Sequence, residues 1–208
     1  MATDWHEWHS AYADPASALS RRLRAIQGLI GDWLDRTAPA PVRVVSVCAG
    51  DGRDLLQVLR ARADAPRVSA TLLEYDGRNV ERARGAAEGL GGIEVRQVDA
   101  GQGAAYAGAV PADLVLLAGV FGNISDDDVR TTIEALPGVC SEGALVIWTR
   151  HRRAPDLTDT IREWFAAAGF VEKSFAAPDD AVFSVGSHRF VGTSKPWVTD
   201  RELFSFVR

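Results

Sequence analysis

The chain of 208 residues is long enough for one sizeable α/β core and short for two full domains. Its composition is typical of a globular protein, with 47% hydrophobic and 25% charged residues. The formal net charge of −5 argues against binding to nucleic-acid phosphates. Four scattered histidines and two distant cysteines predict no metal site. The absence of a long apolar run or an export pattern predicts no membrane association and a cytoplasmic protein.

Residues 1–40 are predicted to form a helical cap in front of the core. Apolar residues from Leu19 to Trp33 recur at helical spacing, and two prolines close the segment. Ahead of this helix lies a dense cluster of histidines and aromatic residues, whereas chain ends are usually polar. We expect the cluster to cover an active site or, alternatively, to pack on the back of the sheet or in a dimer contact. Its aromatic members are Trp5, Trp8 and Tyr12.

A buried strand that runs into a glycine-bearing turn is the most informative feature. The apolar run Val44–Val47 ends at the turn Cys48–Gly52, and a helical pattern that begins near Leu55 follows. Glycine allows a tight turn and a close approach of a ligand, and the next helix offers unpaired N–H groups to that ligand. The pattern therefore predicts a site for a nucleotide-type cofactor.

Three further apolar runs are predicted to be parallel strands with polar residues at their ends. The second ends in Glu74, which is placed to bind a ribose diol, and the third is followed by Asp99, which suits an adenine amino group. The fourth, 112–117, leads into the glycine-containing segment 118–123.

The remainder is predicted to complete one α/β domain, 41–193. The expected elements are a helix over 125–136 ended by Pro137, a strand over 144–148, a helix from Asp156 to Gly169, and strands over 170–175 and 181–191. The tail 194–208 is too aromatic for a disordered tag, so we expect it to pack on the core or on a partner subunit, and a homodimer stays open.

These landmarks, in this order, resemble the class I (Rossmann-like) S-adenosylmethionine-dependent methyltransferases. The resemblance covers about Val42 to Trp148, with Cys48 in place of the first glycine of the loop and Ser46 in place of the usual acid. It implies a seven-stranded, mostly parallel sheet with an antiparallel final strand, helices on both faces and S-adenosyl-L-methionine as cofactor. The implied cofactor-binding residues are Cys48, Ala49, Gly50, Asp51, Gly52, Glu74, Tyr75, Asp99, Ala100 and Gly119.

Alternatives to this interpretation stay open. An NAD(P)-dependent oxidoreductase shares the glycine turn and the ribose acid, but its fingerprint has a third glycine where this chain has Leu55. A non-catalytic cofactor-binding subunit would also fit the departures at Cys48 and Ser46. The least specific interpretation is an α/β domain that binds no cofactor.

The sequence favours a small-molecule methyl acceptor, with O-, N- and C-methylation all open. His151 is the best-placed candidate for a general base, although a structural role competes. Arg22 is the candidate for binding the methionine carboxylate. The candidates for the acceptor pocket are Trp5, Trp8, Tyr12, Phe121 and Asn123; the aromatic residues compete with core packing and Asn123 with an ordinary turn.

Overall fold

The computed structural model describes residues 14–207, which form an α/β domain built on a seven-stranded sheet. The strands are β1 (Val42–Val47), β2 (Val68–Glu74), β3 (Ile93–Gln97), β4 (Ala112–Leu117), β5 (Cys140–His151), β6 (Phe170–Ala176) and β7 (Phe183–Phe190). Their order is β3-β2-β1-β4-β5-β7-β6, and β7 pairs antiparallel with both of its neighbours. The predicted fold class, with its antiparallel final strand, is confirmed.

Five α-helices lie within the described residues and cover both faces of the sheet. They are α1 (Ala18–Thr37), α2 (Arg53–Arg60), α3 (Gly77–Ala87), α4 (Asp126–Val139) and α5 (Thr158–Ala167). The apolar sides of α1, α2 and α3 pack on one face, and those of α4 and α5 pack on the other. None of these helices has the length and apolar character required to cross a bilayer.

Two element boundaries differ from the sequence-based prediction. Helix α4 continues through Pro137 to Val139 rather than ending before the proline. Strand β5 begins at Cys140 and ends at His151, whereas only its apolar centre was predicted. Glu142 and Gly143, near the start of β5, are exposed and resemble a loop in sequence. The far end of β5 is extended by antiparallel pairing with β7, where His151 lies opposite Phe183.

The sheet topology determines where a ligand can bind. Strand β1 lies between β2 and β4, so the chain crosses from one half of the sheet to the other at this point. In open α/β sheets, ligands bind beyond the carboxyl ends of the strands at such a switch. The loops that follow β1, β2, β3 and β4 all meet at this edge.

The tail beyond β7 packs on the core of its own chain. Leu203 and Phe204 are buried among the apolar side chains on the α4 and α5 face. Trp197 contacts Tyr106, with ring centroids 5.1 Å apart, and its Nε1 donates to the carbonyl of Gly103 at 2.9 Å. These contacts fix the tail against the loop that follows β3.

Candidate functional site

The loop after β1 turns through three left-handed residues. Cys48, Gly50 and Gly52 have φ angles of 51°, 60° and 70°. A side chain at Gly52 would collide with Leu56 and Leu72, so this glycine lets α2 pack on β2. At Gly50, in contrast, no atom lies within 4 Å of the position a Cβ would occupy. Gly50 therefore presents open backbone to a ligand.

Glu74 joins this loop to the end of β2. Its side chain is 7% exposed. One carboxylate oxygen accepts from the Gly50 N–H at 2.7 Å, and the other accepts from the Asp76 N–H at 2.9 Å. Each oxygen has a second lone-pair direction, so the carboxylate can still accept hydroxyl groups of a ligand.

A cleft of about 550 Å³ lies between the ends of β2 and β3 and begins at the residue after Glu74. Its lining residues come from the ends of β2 and β3 and are Tyr75, Asp76, Gly77, Gln97, Val98 and Asp99. The Tyr75 side chain is 72% exposed, which makes its ring available for stacking. Asp99 is fixed by the Gly101 N–H, which donates to Oδ1 at 2.9 Å. The neighbouring Ala100 is buried, and its carbonyl accepts from the Tyr106 hydroxyl at 2.9 Å.

The centre of the site carries a negative field. Burial raises the pKa of the Cys48 thiol well above its usual range, and the charges of Glu74 and Asp99 raise it further. Burial likewise raises the pKa of Tyr106, with added contributions from Cys48 and Asp99. Both groups therefore stay protonated at neutral pH. A field of this sign favours a cationic ligand.

A second carboxyl group is buried at the start of α2. Burial raises the pKa of Asp54 to about 6; its acceptance of the Leu55 N–H opposes the rise, the charge of Asp51 adds to it, and Arg22 opposes it. The charge of Arg22 therefore acts on Asp54, at the start of α2. Asp51 is held by Arg53, whose Nε donates to Oδ1 at 2.9 Å.

The segment after β4 adjoins His151. Gly119 has a φ of 80°, and its N–H donates to Thr149 Oγ1 at 2.8 Å. A Cβ at Gly122 would lie 3.3 Å from the His151 ring. Burial lowers the pKa of His151, and the positive charges of Arg150 and Arg153 lower it further. His151 is therefore neutral at neutral pH, and its Nδ1 accepts from the Arg153 N–H at 3.3 Å.

Not all predicted acceptor residues lie at this edge. Phe121 is fully buried, with its ring centroid 6.0 Å from that of Trp148, so the structure places it in the core. Asn123 Nδ2 donates to the Gly119 carbonyl at 2.6 Å and so stabilises its own loop. The predicted aromatic cluster lies outside the described residues; its members are Trp5, Trp8 and Tyr12.

The sequence analysis missed three contributors to this edge. Thr149 fixes Gly119 through its hydroxyl, and Gln97 lines the cleft. The C-terminal tail reaches the loops after β3 and β4. A polar residue directly after an apolar run was a readable signal for Thr149. Nothing in the local sequence indicates the position of the tail.

The sheet order and the loop geometry define a Rossmann-like methyltransferase fold. Residues 19–169 match the model of the family described as "Putative methyltransferase", and the chain belongs to this family. No curated protein matches the chain.

Solved structures with low sequence identity share the fold. Magnesium protoporphyrin IX methyltransferase from Synechocystis PCC 6803, with bound SAH, is 14% identical with a TM-score of 0.64, over 91% of this chain and 94% of that chain. An O-methyltransferase family protein from Burkholderia thailandensis is 18% identical with a TM-score of 0.63, over 83% of this chain and 58% of that one. The fibrillarin pre-rRNA processing protein of Methanococcus jannaschii is 16% identical with a TM-score of 0.60, over 73% and 67% of the two chains.

Proposed function

We propose that the protein binds S-adenosyl-L-methionine and transfers its methyl group to a small molecule. The observation that carries this proposal is the Glu74 carboxylate, which is held by the Gly50 and Asp76 N–H groups beside an open cleft. This arrangement suits a ribose diol next to an adenine site. Membership in a methyltransferase family and the fold shared with a SAH-bound enzyme support the choice of cofactor.

The cleft offers complementary groups for each part of this cofactor. Tyr75 would stack on the adenine ring, and Asp99 would accept from its amino group. The open backbone at Gly50 and the loop at Gly119 would adjoin the methionine end. Arg22 is the proposed partner of the methionine carboxylate. The negative field that acts on Cys48 favours the positive sulfonium.

Alignment of the reactants is the proposed source of catalysis. The bound cofactor supplies an activated methyl group and a good leaving group. The protein then has to position the acceptor and exclude water, which lowers a barrier by roughly 7–11 kcal/mol when two reactants are held in attack geometry. A neutral His151 is available for proton transfer. To act as the base, His151 would carry its proton on Nδ1 and give up the 3.3 Å bond from the Arg153 N–H, so that the lone pair of Nε2 could take the proton of the acceptor.

The choice of a small acceptor depends on charge and on the architecture. The net charge of −5 opposes attraction to a polyanion.

A dinucleotide is disfavoured as the cofactor because Leu55, at the position of the third fingerprint glycine, is fully buried and fills the space between helix and sheet. Within residues 14–207, no group of three metal-ligating side chains forms a candidate metal centre.

Calorimetric titration with S-adenosylhomocysteine tests the cofactor assignment. We expect the wild type to bind S-adenosylhomocysteine with micromolar affinity. Glu74→Ala should lose about 1–3 kcal/mol of binding free energy, because the ribose hydroxyls would lose a charged acceptor. Glu74→Gln is the matched control, since it keeps the shape of the side chain and removes its charge. Its affinity for S-adenosylhomocysteine should lie between those of the wild type and Glu74→Ala. Binding of NADH without binding of S-adenosylhomocysteine would replace the proposal with the oxidoreductase alternative.

Transfer of labelled methyl groups tests the acceptor class. We expect label in small phenols, amines or carboxylates and none in bulk RNA, DNA or protein. The opposite distribution would show a macromolecular acceptor. Cofactor binding without transfer to any substrate class would favour a non-catalytic subunit.

A further inference from the structure

The C-terminal segment, residues 201–207, joins the loops that follow β3 and β4. The Gly103 N–H donates to the Arg201 carbonyl at 2.7 Å, and the Leu203 N–H donates to the Gly101 carbonyl at 2.8 Å. Farther along, the Val207 N–H donates to the Asn123 carbonyl at 2.9 Å. The C-terminal segment therefore runs from the adenine side of the proposed cofactor site to the loop beside His151.

The backbone of the C-terminal segment is firmly anchored. Leu203 and Phe204 are buried, and the Leu203 carbonyl accepts from Thr132 Oγ1 at 3.4 Å. A methyl group at Gly101 would overlap the Phe204 carbonyl, so the two backbones are in close contact. Because Gly101 also binds the Asp99 carboxylate, the segment is fixed beside the proposed adenine site.

The far end of the C-terminal segment presents apolar side chains. Phe206 is 40% exposed and Val207 is 65% exposed. Phe206 forms an antiparallel bridge with Ile124, and its ring lies edge-on to Phe204 at 6.0 Å. The exposed ring is thus held on a paired backbone rather than on a free chain end. A positioned aromatic ring is a suitable wall for an apolar ligand.

We infer that Phe206 and Val207 form an apolar wall of the acceptor site, and that the acceptor carries an apolar substituent such as an alkyl chain on the part that faces this wall. This inference rests on the proposed methyl transfer and names its substrate class. Phe121, one of the four aromatic residues predicted from the sequence to line the pocket, is fully buried in the core. Phe206 supplies an exposed ring beside the same loop, because it pairs with Ile124, and a Cβ built at the nearby Gly122 would lie 3.3 Å from the His151 ring.

A matched pair of probes tests the wall. Phenol and 4-butylphenol are titrated into protein that is saturated with S-adenosylhomocysteine, and binding is followed by ligand-detected NMR. The wild type should prefer 4-butylphenol. Phe206→Ala should weaken the binding of 4-butylphenol by about five- to tenfold, since the contact with the alkyl chain is lost. The affinities for phenol and S-adenosylhomocysteine should stay within about twofold of the wild-type values. Phe206→Leu should restore part of the preference.

Val198→Ala is the matched control, because Val198 is an exposed apolar residue of the tail outside the C-terminal segment. The inference would be overturned if Val198→Ala lost as much affinity for 4-butylphenol as Phe206→Ala does, or if the wild type did not prefer 4-butylphenol to phenol. The first titration separates this failure from that of the proposed function. If S-adenosylhomocysteine itself does not bind, the cofactor assignment fails, and the acceptor wall fails with it.

Discussion

The carboxyl edge of the sheet and the interior between β5, β7 and α5 handle polar groups in different ways. At the edge, the buried Glu74 carboxylate is held by two backbone N–H groups in a loop with left-handed residues and an adjacent cleft. In the interior, His188 is buried among aromatic rings and bonded to Trp148. At the edge, the Glu74 carboxylate keeps lone pairs that can accept further hydrogen bonds, and the cleft lies beside it. In the interior, the polar atoms of Trp148 and His188 bond to each other.

The interior is close-packed around a single indole. The Trp148 ring lies 5.9 Å from that of Phe165, and its Nε1 donates to His188 Nδ1 at 3.0 Å. A methyl group at Gly186 would overlap this indole, so β7 needs a glycine where it passes the ring. Such packing leaves no room for a ligand, and the two regions should respond differently to substitution.

Trp148→Ala should produce the largest effect on stability. Removal of a fully buried indole leaves a cavity and a His188 nitrogen without its donor, which should lower the free energy of unfolding by about 3–5 kcal/mol. Urea denaturation measures this loss. Trp148→Phe is the matched control and should lose less, since it keeps most of the ring. Because the Glu74 carboxylate and the cleft are built by β1, β2 and β3, the S-adenosylhomocysteine affinity of the folded variant should change by less than about twofold. A larger change would contradict the comparison.

The pH dependence of stability should distinguish the two regions by sign. Burial lowers the pKa of His188 to about 4, so the unfolded chain takes up this proton first and stability is lost as pH falls from about 6.5 to 4. Burial raises the pKa of Asp54 to about 6, so the folded chain holds this proton longer and stability falls as pH rises from about 4 to 6.

Two variants separate these opposite contributions of about 1–3 kcal/mol each. Relative to the wild type, Asp54→Asn should gain stability as pH rises from 4 to 6, while its amide oxygen still accepts the Leu55 N–H. His188→Gln should lose relative stability over the same range. Urea denaturation at several pH values gives both slopes, and slopes of the same sign would contradict the assignment.

The smallest expected effect concerns the left-handed residue Cys48. A side chain at a φ of 51° is strained by about 1 kcal/mol relative to glycine. Cys48→Gly should therefore be about 1 kcal/mol more stable than Cys48→Ala, in which the strain is kept and the thiol is lost. Thermal unfolding of the two variants measures the difference. Equal stabilities would show that the loop relaxes around position 48.

The sequence by itself determined the order of strands and helices and the polar residues at the strand ends. Apolar runs and turn residues are local signals, and they placed Gly50, Glu74 and Asp99 at one edge because parallel strands end together. The family resemblance added the antiparallel last strand, which the structure confirms. The start of β5 could not be predicted from the sequence, because Cys140 belongs to the strand only through its pairing with Ala112 of β4.

The tertiary structure alone decided which apolar side chains are buried and which are exposed. Phe121 and Phe206 are both apolar in sequence, yet one lies in the core and the other is partly exposed beside the loop after β4. The difference arises from contacts between distant segments, since Trp148 of β5 packs on Phe121, whereas Phe206 pairs with Ile124 through its backbone. Burial and pairing between residues far apart in the chain leave no local pattern, so the polar strand ends were predictable from sequence and the exposed position of Phe206 was not.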